Sequence, residues 1–145
     1  MIVAERIIDL CNRYGDVVTN LRLQKLLYYA QAWYLAIYGA PLFQEEFEAW
    51  PNGPMQPLVF GKYRHFGSRP IDAPAGVARL PKQEEKHIAD LLQSYGRLSG
   101  FEIEQLSREE TPWRESRLGL SDEEPSNRVI LKNAIKRYYK ARLNG

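Results

Sequence analysis

Few side chains in this sequence are of types that make or break bonds, and their spacing limits what they could do. The imidazoles are His65 and His87, and the one thiol is Cys11. A closed zinc site needs more nitrogen and sulfur ligands than these, and neither histidine sits in a His-Glu-x-x-His spacing. Both read as exposed or core-edge residues. Cys11 with a histidine would make a nucleophile pair, but Cys11 falls on the apolar face of its helix, where a thiol packs and stays inert. Glu45, Glu46 and Glu48 are close enough for acid–base work. Yet 46 and 48 face the same way from a strand, which reads as a solvated acidic edge that discourages strand pairing. Tyr28 joins them in the remaining catalytic reading, an enzyme of unknown class. The chain has no Gly-x-x-x-x-Gly-Lys-Ser/Thr loop, no Gly-x-Gly-x-x-Gly and no Gly-x-Ser-x-Gly elbow. The expectation is therefore a domain that works by binding, with no catalytic residue, metal or cofactor.

Two surfaces carry the residue types that bind partners. In the first, Glu46, Glu48 and Trp50 share a strand face leading into Asn52-Gly53-Pro54, and an aromatic beside a rigid turn makes an anchor. The plainer alternative is that Trp50 packs over a helix pair, since tryptophan is usually well buried. In the second, Arg128, Lys132, Lys136 and Lys140 recur every fourth residue, joined by Arg137. Such a stripe is the solvated side of an amphipathic helix, or a contact for an acidic partner or a phosphate backbone. No helix-turn-helix with a basic recognition helix accompanies it, so nucleic acid is the disfavoured partner. The interface candidates are Glu46, Glu48, Trp50, Asn52, Lys132, Lys136 and Lys140.

Those residues must be positioned by helices. Val3, Ile7, Leu10, Cys11 and Tyr14 line one face of a short helix that Gly15 stops. Thr19 is an N-cap for a second helix over 21–38, with Leu23, Leu26, Leu27, Ala30, Tyr34 and Ile37 as its stripe. Tyr28, Tyr29, Trp33 and Tyr38 lie off that stripe, so this helix needs cover on several sides and is placed centrally. Residues 46–50 alternate as a short half-buried strand, and Leu42-Phe43 adds an extended piece. Pro51-Asn52-Gly53-Pro54 breaks the chain, and Pro54 is expected at the first position of a helix whose inner face is Met55, Leu58, Val59, Tyr63 and Phe66.

Residues 68–80 read as a mobile loop. A fourth helix begins near Pro81, with Ile88, Leu91, Leu92 and Tyr95 inward, and ends at Gly96. Ser99 and Glu102 form a capping box with Leu98 and Ile103 as staple. Thr111 reads as a cap, followed by Pro112 at the first position of one short turn that includes Trp113. A last helix over 127–142 turns Leu131, Ala134, Ile135 and Tyr138 inward. The fold class is mainly α (α+β), a compact bundle of about six to seven helices with a small β element near residues 42–50.

At 145 residues, 44% hydrophobic and 26% charged, the chain reads as one globular domain over 1–145. A net charge of +2 gives no strong field toward nucleic acid or an anionic membrane. One cysteine excludes an internal disulfide and fits a reducing compartment. No signal peptide is visible at Met1-Ile2-Val3-Ala4-Glu5-Arg6, and no apolar run reaches the roughly 18 residues of a membrane span, so a cytoplasmic protein is expected.

Three stretches resemble the Panacea domain family, also described as SocA-like or GepA-like phage-associated proteins. They are the run from Thr19 through Leu23-Gln24-Lys25-Leu26 to Gln31, the run Glu48-Ala49-Trp50-Pro51-Asn52-Gly53-Pro54, and Thr111-Pro112-Trp113. Relatives commonly show Thr-His before the Pro-Trp pair, where this chain has Ser107-Arg108. The resemblance implies a mostly helical domain with a small sheet, and an antitoxin of the proteic type that neutralises a cognate protein toxin by direct contact. It implies no catalytic residue. Family members pair with unrelated toxins, so the toxin and its target do not carry over, and some are known only as prophage-associated. Self-association, the surface used and autoregulation stay open, with a nucleic-acid-binding regulator as the alternative function.

Overall fold

A computed structural model describes residues 1–144. Its axis is helix α2, Asn20–Tyr38, of whose 19 residues 15 are buried, so it is covered nearly all round as its aromatics require. The Thr19 hydroxyl accepts from the Arg22 N–H at 3.3 Å, and Gly39 ends the helix with φ 77°. Within the predicted stripe only Ile37 differs, being exposed at the exit together with the off-stripe Tyr38.

Helix α1 (Ile2–Arg13) packs on α2. Tyr14 is exposed beyond its end instead of facing inward, because the helix stops one residue earlier.

The sheet has the order β2-β1-β3, with β1 at Phe47–Trp50, β2 at Gly53–Met55 and β3 at Val129–Ile130, both pairings antiparallel. The pairing of Trp50 with Gly53 leaves Pro51 and Asn52 as a two-residue hairpin turn. Here the expectation of a helix starting at Pro54 is corrected. Pro54 lies in an edge strand, where a missing N–H breaks no ladder. Helix α3 (Pro57–Lys62) starts at Pro57, capped by the Gln56 side chain, which accepts from Val59 N–H at 2.9 Å. Met55 therefore belongs to the strand, Val59 and Tyr63 face inward, and Leu58 points to solvent. Leu42 and Phe43 form no strand; their backbone pairs with the Gln31 side chain of α2 instead, at 2.7 and 2.6 Å.

From 67 to 81 there is no helix or strand, as the loop reading had it, but fully buried Ile71 anchors the middle through its N–H to Val18 O at 2.8 Å. Helix α4 (Lys82–Tyr95) is joined to α1 by the Glu85 carboxylate, which accepts from Arg6 Nε at 2.8 Å. Helix α5 (Gly100–Glu109) carries the predicted capping box, both halves formed. Helix α6 (Thr111–Ser116) starts one residue early, with Glu110 at the cap position in place of Thr111.

Helix α7, Lys132–Asn144, lies along α2. It begins five residues later than predicted, because β3 takes 129–130 to pair with β1. Its buried residues are accordingly Ile135 and Tyr139, while Leu131 is exposed and Tyr138 half-buried. The architecture is mainly α, seven α-helices with a small three-stranded sheet among the described residues. None of the described helices is long and apolar enough to cross a membrane.

Candidate protein-binding site

The three sequence stretches singled out above meet at the β1–β2 hairpin. From below, α2 and α5 support it. A Cβ on Gly53 would lie 2.8 Å from Lys25 Cε and 2.9 Å from Ser107 Oγ, and Gly53 has φ 98°, so only glycine fits. From the side, the buried Trp113 of α6 donates its indole N–H to Trp50 O at 2.8 Å. Arg117 donates to Ala49 O at 2.6 Å and to the carbonyls of Ser121 and Glu124. The guanidinium groups of Arg108 and Arg117 lie 5.4 and 5.2 Å from the Trp113 ring centroid. Gln24 Oε1 accepts from Gln56 N–H at 2.7 Å, fixing the exit of β2.

Lys25 is the unusual member of this support. Its side chain is fully buried and its ammonium reaches Met55 Sδ at 3.2 Å. Burial lowers its pKa to about 7, against a weaker opposing pull from the Glu104 charge. The sequence reading passed over Lys25 because its neighbours look like an ordinary helix. Its one signal was position: a helix apolar on all sides leaves a lysine no route to water.

Above the support, the hairpin presents the predicted candidates. Trp50 Nε1 donates to Glu48 Oε1 at 2.8 Å, so these two share a face as expected. Trp50 is half-buried and its ring meets Phe60 edge-on at 5.3 Å; it both packs and stays accessible. Asn52 is exposed at the turn. Between the hairpin, the start of α2 and α3 runs a groove of about 430 Å³, lined among others by Leu21, Trp50, Asn52, Met55, Phe60 and Arg64. Phe60 and Arg64 were not among the sequence candidates, since a helix started three residues early puts them at the wrong angle.

The other candidates lie elsewhere. Glu46 turns to Lys132, whose ammonium donates to its carboxylate at 2.6 Å and to Gln44 O at 2.8 Å. Lys136 donates to Gly39 O at 3.1 Å at the end of α2, and Lys140 is exposed. The basic stripe is thus partly occupied in holding α7 to the rest of the chain.

The residues weighed for chemistry sit apart. Cys11 is buried, and burial pushes its thiol up to about 11. His87 is buried with Nε2 2.9 Å from Ala30 O, and burial lowers its pKa; His65 is exposed. Tyr28 is in the core, edge-on to Phe47 and Tyr139, with its hydroxyl raised by burial. It faces no cleft with Glu46 or Glu48. Among the described residues, no three His, Cys, Asp or Glu side chains cluster as metal ligands.

A second buried polar group locks α2 to α7. The Glu110 carboxylate accepts from the hydroxyls of Tyr29 and of Tyr139, the latter at 2.8 Å. Burial raises the Glu110 pKa, partly offset by those two donors.

The family described as antitoxin SocA-like, Panacea domain, matches residues 23–114. The chain is also similar to the protein described as antitoxin SocA from Caulobacter vibrioides (strain NA1000 / CB15N). The two are 31% identical over 124 residues, which cover 77% of this chain and 66% of that protein. The match thus spans just under two thirds of the relative's length. No solved structure matches the chain.

Proposed function

Since the chain belongs to the antitoxin SocA-like, Panacea-domain family, we propose that it acts as an antitoxin that neutralises a cognate protein toxin by direct contact. On this reading residues 1–145 work as one domain in the cytoplasm, and a prophage-borne toxin–antitoxin pair is one setting for it. The observation that carries the reading is the hairpin: Gln24 of α2 and, from α6 and its end, Trp113 and Arg117 all bond its backbone and fix a turn that displays Trp50 and Asn52. Rigid display of an aromatic at a groove is what a binding site needs, because little ordering entropy is left to lose on association.

The contact surface in this proposal is Glu48, Trp50 and Asn52 with the adjoining groove. Glu46, Lys132, Lys136 and Lys140 form a second, outlying surface. Nucleic-acid binding by the stripe is the weaker reading, because Lys132 is paired with Glu46 and Lys136 with a backbone carbonyl.

Co-expression with the adjacent gene tests the proposal. The neighbour's product should arrest growth alone, growth should return when this chain is co-expressed, and the two proteins should co-purify. A harmless neighbour with no co-purifying complex would end the antitoxin reading. A low-salt mobility shift that weakens as salt rises would favour the nucleic-acid alternative.

A further inference from the structure

We propose that the groove between the hairpin and α3 takes an acidic segment of the partner protein bearing one large apolar side chain, with Arg64 receiving the carboxylate. This deepens the antitoxin reading and rests on it. The floor is apolar: Trp50 and Phe60 stand edge-on at 5.3 Å, Met55 lies beneath them, and Leu21 is 42% exposed at the mouth. Two aromatics held at an angle enclose a slot for one aliphatic or aromatic anchor, the geometry that concentrates binding energy at interfaces.

Among the described residues, the one charged residue lining the groove is Arg64; Glu48 stands outside the lining, its carboxylate held by the Trp50 indole N–H. Arg64 is exposed, its guanidinium is 5.9 Å from the Phe60 ring centroid, and among the described residues it has no carboxylate partner. The nearby Arg69 is held by the carbonyls of His65 and Phe66, again without an acid. An unpaired arginine beside an apolar slot offers a planar fork of donors, which favours a carboxylate over a neutral group. The complementary segment is therefore an apolar anchor followed closely by Asp or Glu.

The test uses the full-length chain, labelled with nitrogen-15, and two short synthetic peptides. One has a central Phe and Leu flanked by Asp and Glu; the other replaces each acid with Lys. The acidic peptide should move the Trp50 indole, Asn52 side-chain and Arg64 backbone signals, and the basic peptide should not. Arg64→Glu, a change at an exposed position, should weaken the acidic peptide about tenfold, the scale of one charge-assisted contact, and should admit the basic one. Arg114→Glu, an exposed charge on α6 away from the groove, should do neither.

Absent groove shifts, equal response to both peptides, or an Arg64→Glu chain with unchanged preference would overturn the proposal. So would a concentration-dependent loss of those signals in the free chain, relieved by Asp122→Lys. That result would assign the groove to a second copy, whose 118–124 stretch also pairs exposed Leu118 with Asp122, Glu123 and Glu124. The two readings fail separately. If the neighbouring gene's product binds the chain and Arg64→Glu leaves that complex unchanged, this site falls and the antitoxin reading stands. If the acidic peptide seats in the groove but that product does not bind, the site stands and the antitoxin reading falls.

Discussion

The indole N–H of Trp113 bonds the carbonyl oxygen of Trp50 at 2.8 Å, tying α6 to the end of β1 across 63 positions of sequence. The donor is buried and the acceptor is the last residue before the hairpin turn. The bond therefore fixes the backbone from which the Trp50 side chain projects, as well as contributing stability.

Trp113→Phe keeps much of the ring and removes the donor, leaving a buried carbonyl without that partner. It should cost about 1–3 kcal/mol in urea unfolding. It should also broaden the Trp50 indole signal as the hairpin loosens. Wild-type stability in that variant would mean the bond does not hold the strand.

Gly53→Ala should be costly for two independent reasons, the positive φ and the missing room beside Lys25 and Ser107. A loss of about 1–3 kcal/mol is expected, read as a lower thermal midpoint. Gly76→Ala has the positive φ but open space around it, so it should cost less. Equal losses in the two variants would show that crowding at the hairpin contributes nothing.

Lys25 makes stability depend on pH in a predictable sense. Its pKa is near 7 folded and 10.5 when the chain is open to water. Between those values the unfolded chain binds more protons, so stability rises with pH across the window, and below about 7 the full penalty of a buried charge persists. Lys25→Met removes the charge and keeps the bulk. It should be more stable than wild type at and below neutral pH, with the gap closing toward pH 10. Urea midpoints across that range decide it: a gap that does not change with pH would refute the buried-charge account.

Glu110 works in the opposite sense. Its pKa is raised on folding, so its contribution is greatest at low pH and diminishes as pH climbs from 4.5 through the folded value. Glu110→Gln should flatten that part of the profile while keeping an oxygen for Tyr29 and Tyr139. Glu110→Ala should cost about 2–3 kcal/mol more than Gln, because two buried hydroxyls lose their acceptor. Equal stability of the two variants would show that the hydroxyls find other partners.

What could be read from sequence was local. Thr19 and Gly39 bound α2 by capping chemistry within one turn, and Ser99 with Glu102 marked α5 in the same way. What could not be read was set by distant partners. Pro54 satisfies the rule for a helix start and the rule for an edge strand equally well, and only the pairing with Ala49 decides between them. A two-residue strand such as Val129-Ile130 has no period to detect, and missing it displaced α7 and exchanged Tyr139 for Tyr138 in the core. At the candidate surface, the exposure of Asn52 and the half-exposure of Trp50 beside a turn were legible from residue type. Phe60 and Arg64 depended on the true start of α3, and the Glu46–Lys132 pair joins residues 86 positions apart.

The way Gly53 rests on Lys25 and Ser107 separates frame from lettering. The groups that crowd Gly53 lie beneath the hairpin, while Leu21 and Arg64 line the groove on its outer side. On the proposed function, a chain built this way would be retargeted to a different protein by rewriting a few outward letters, with the scaffold that holds them left as it is.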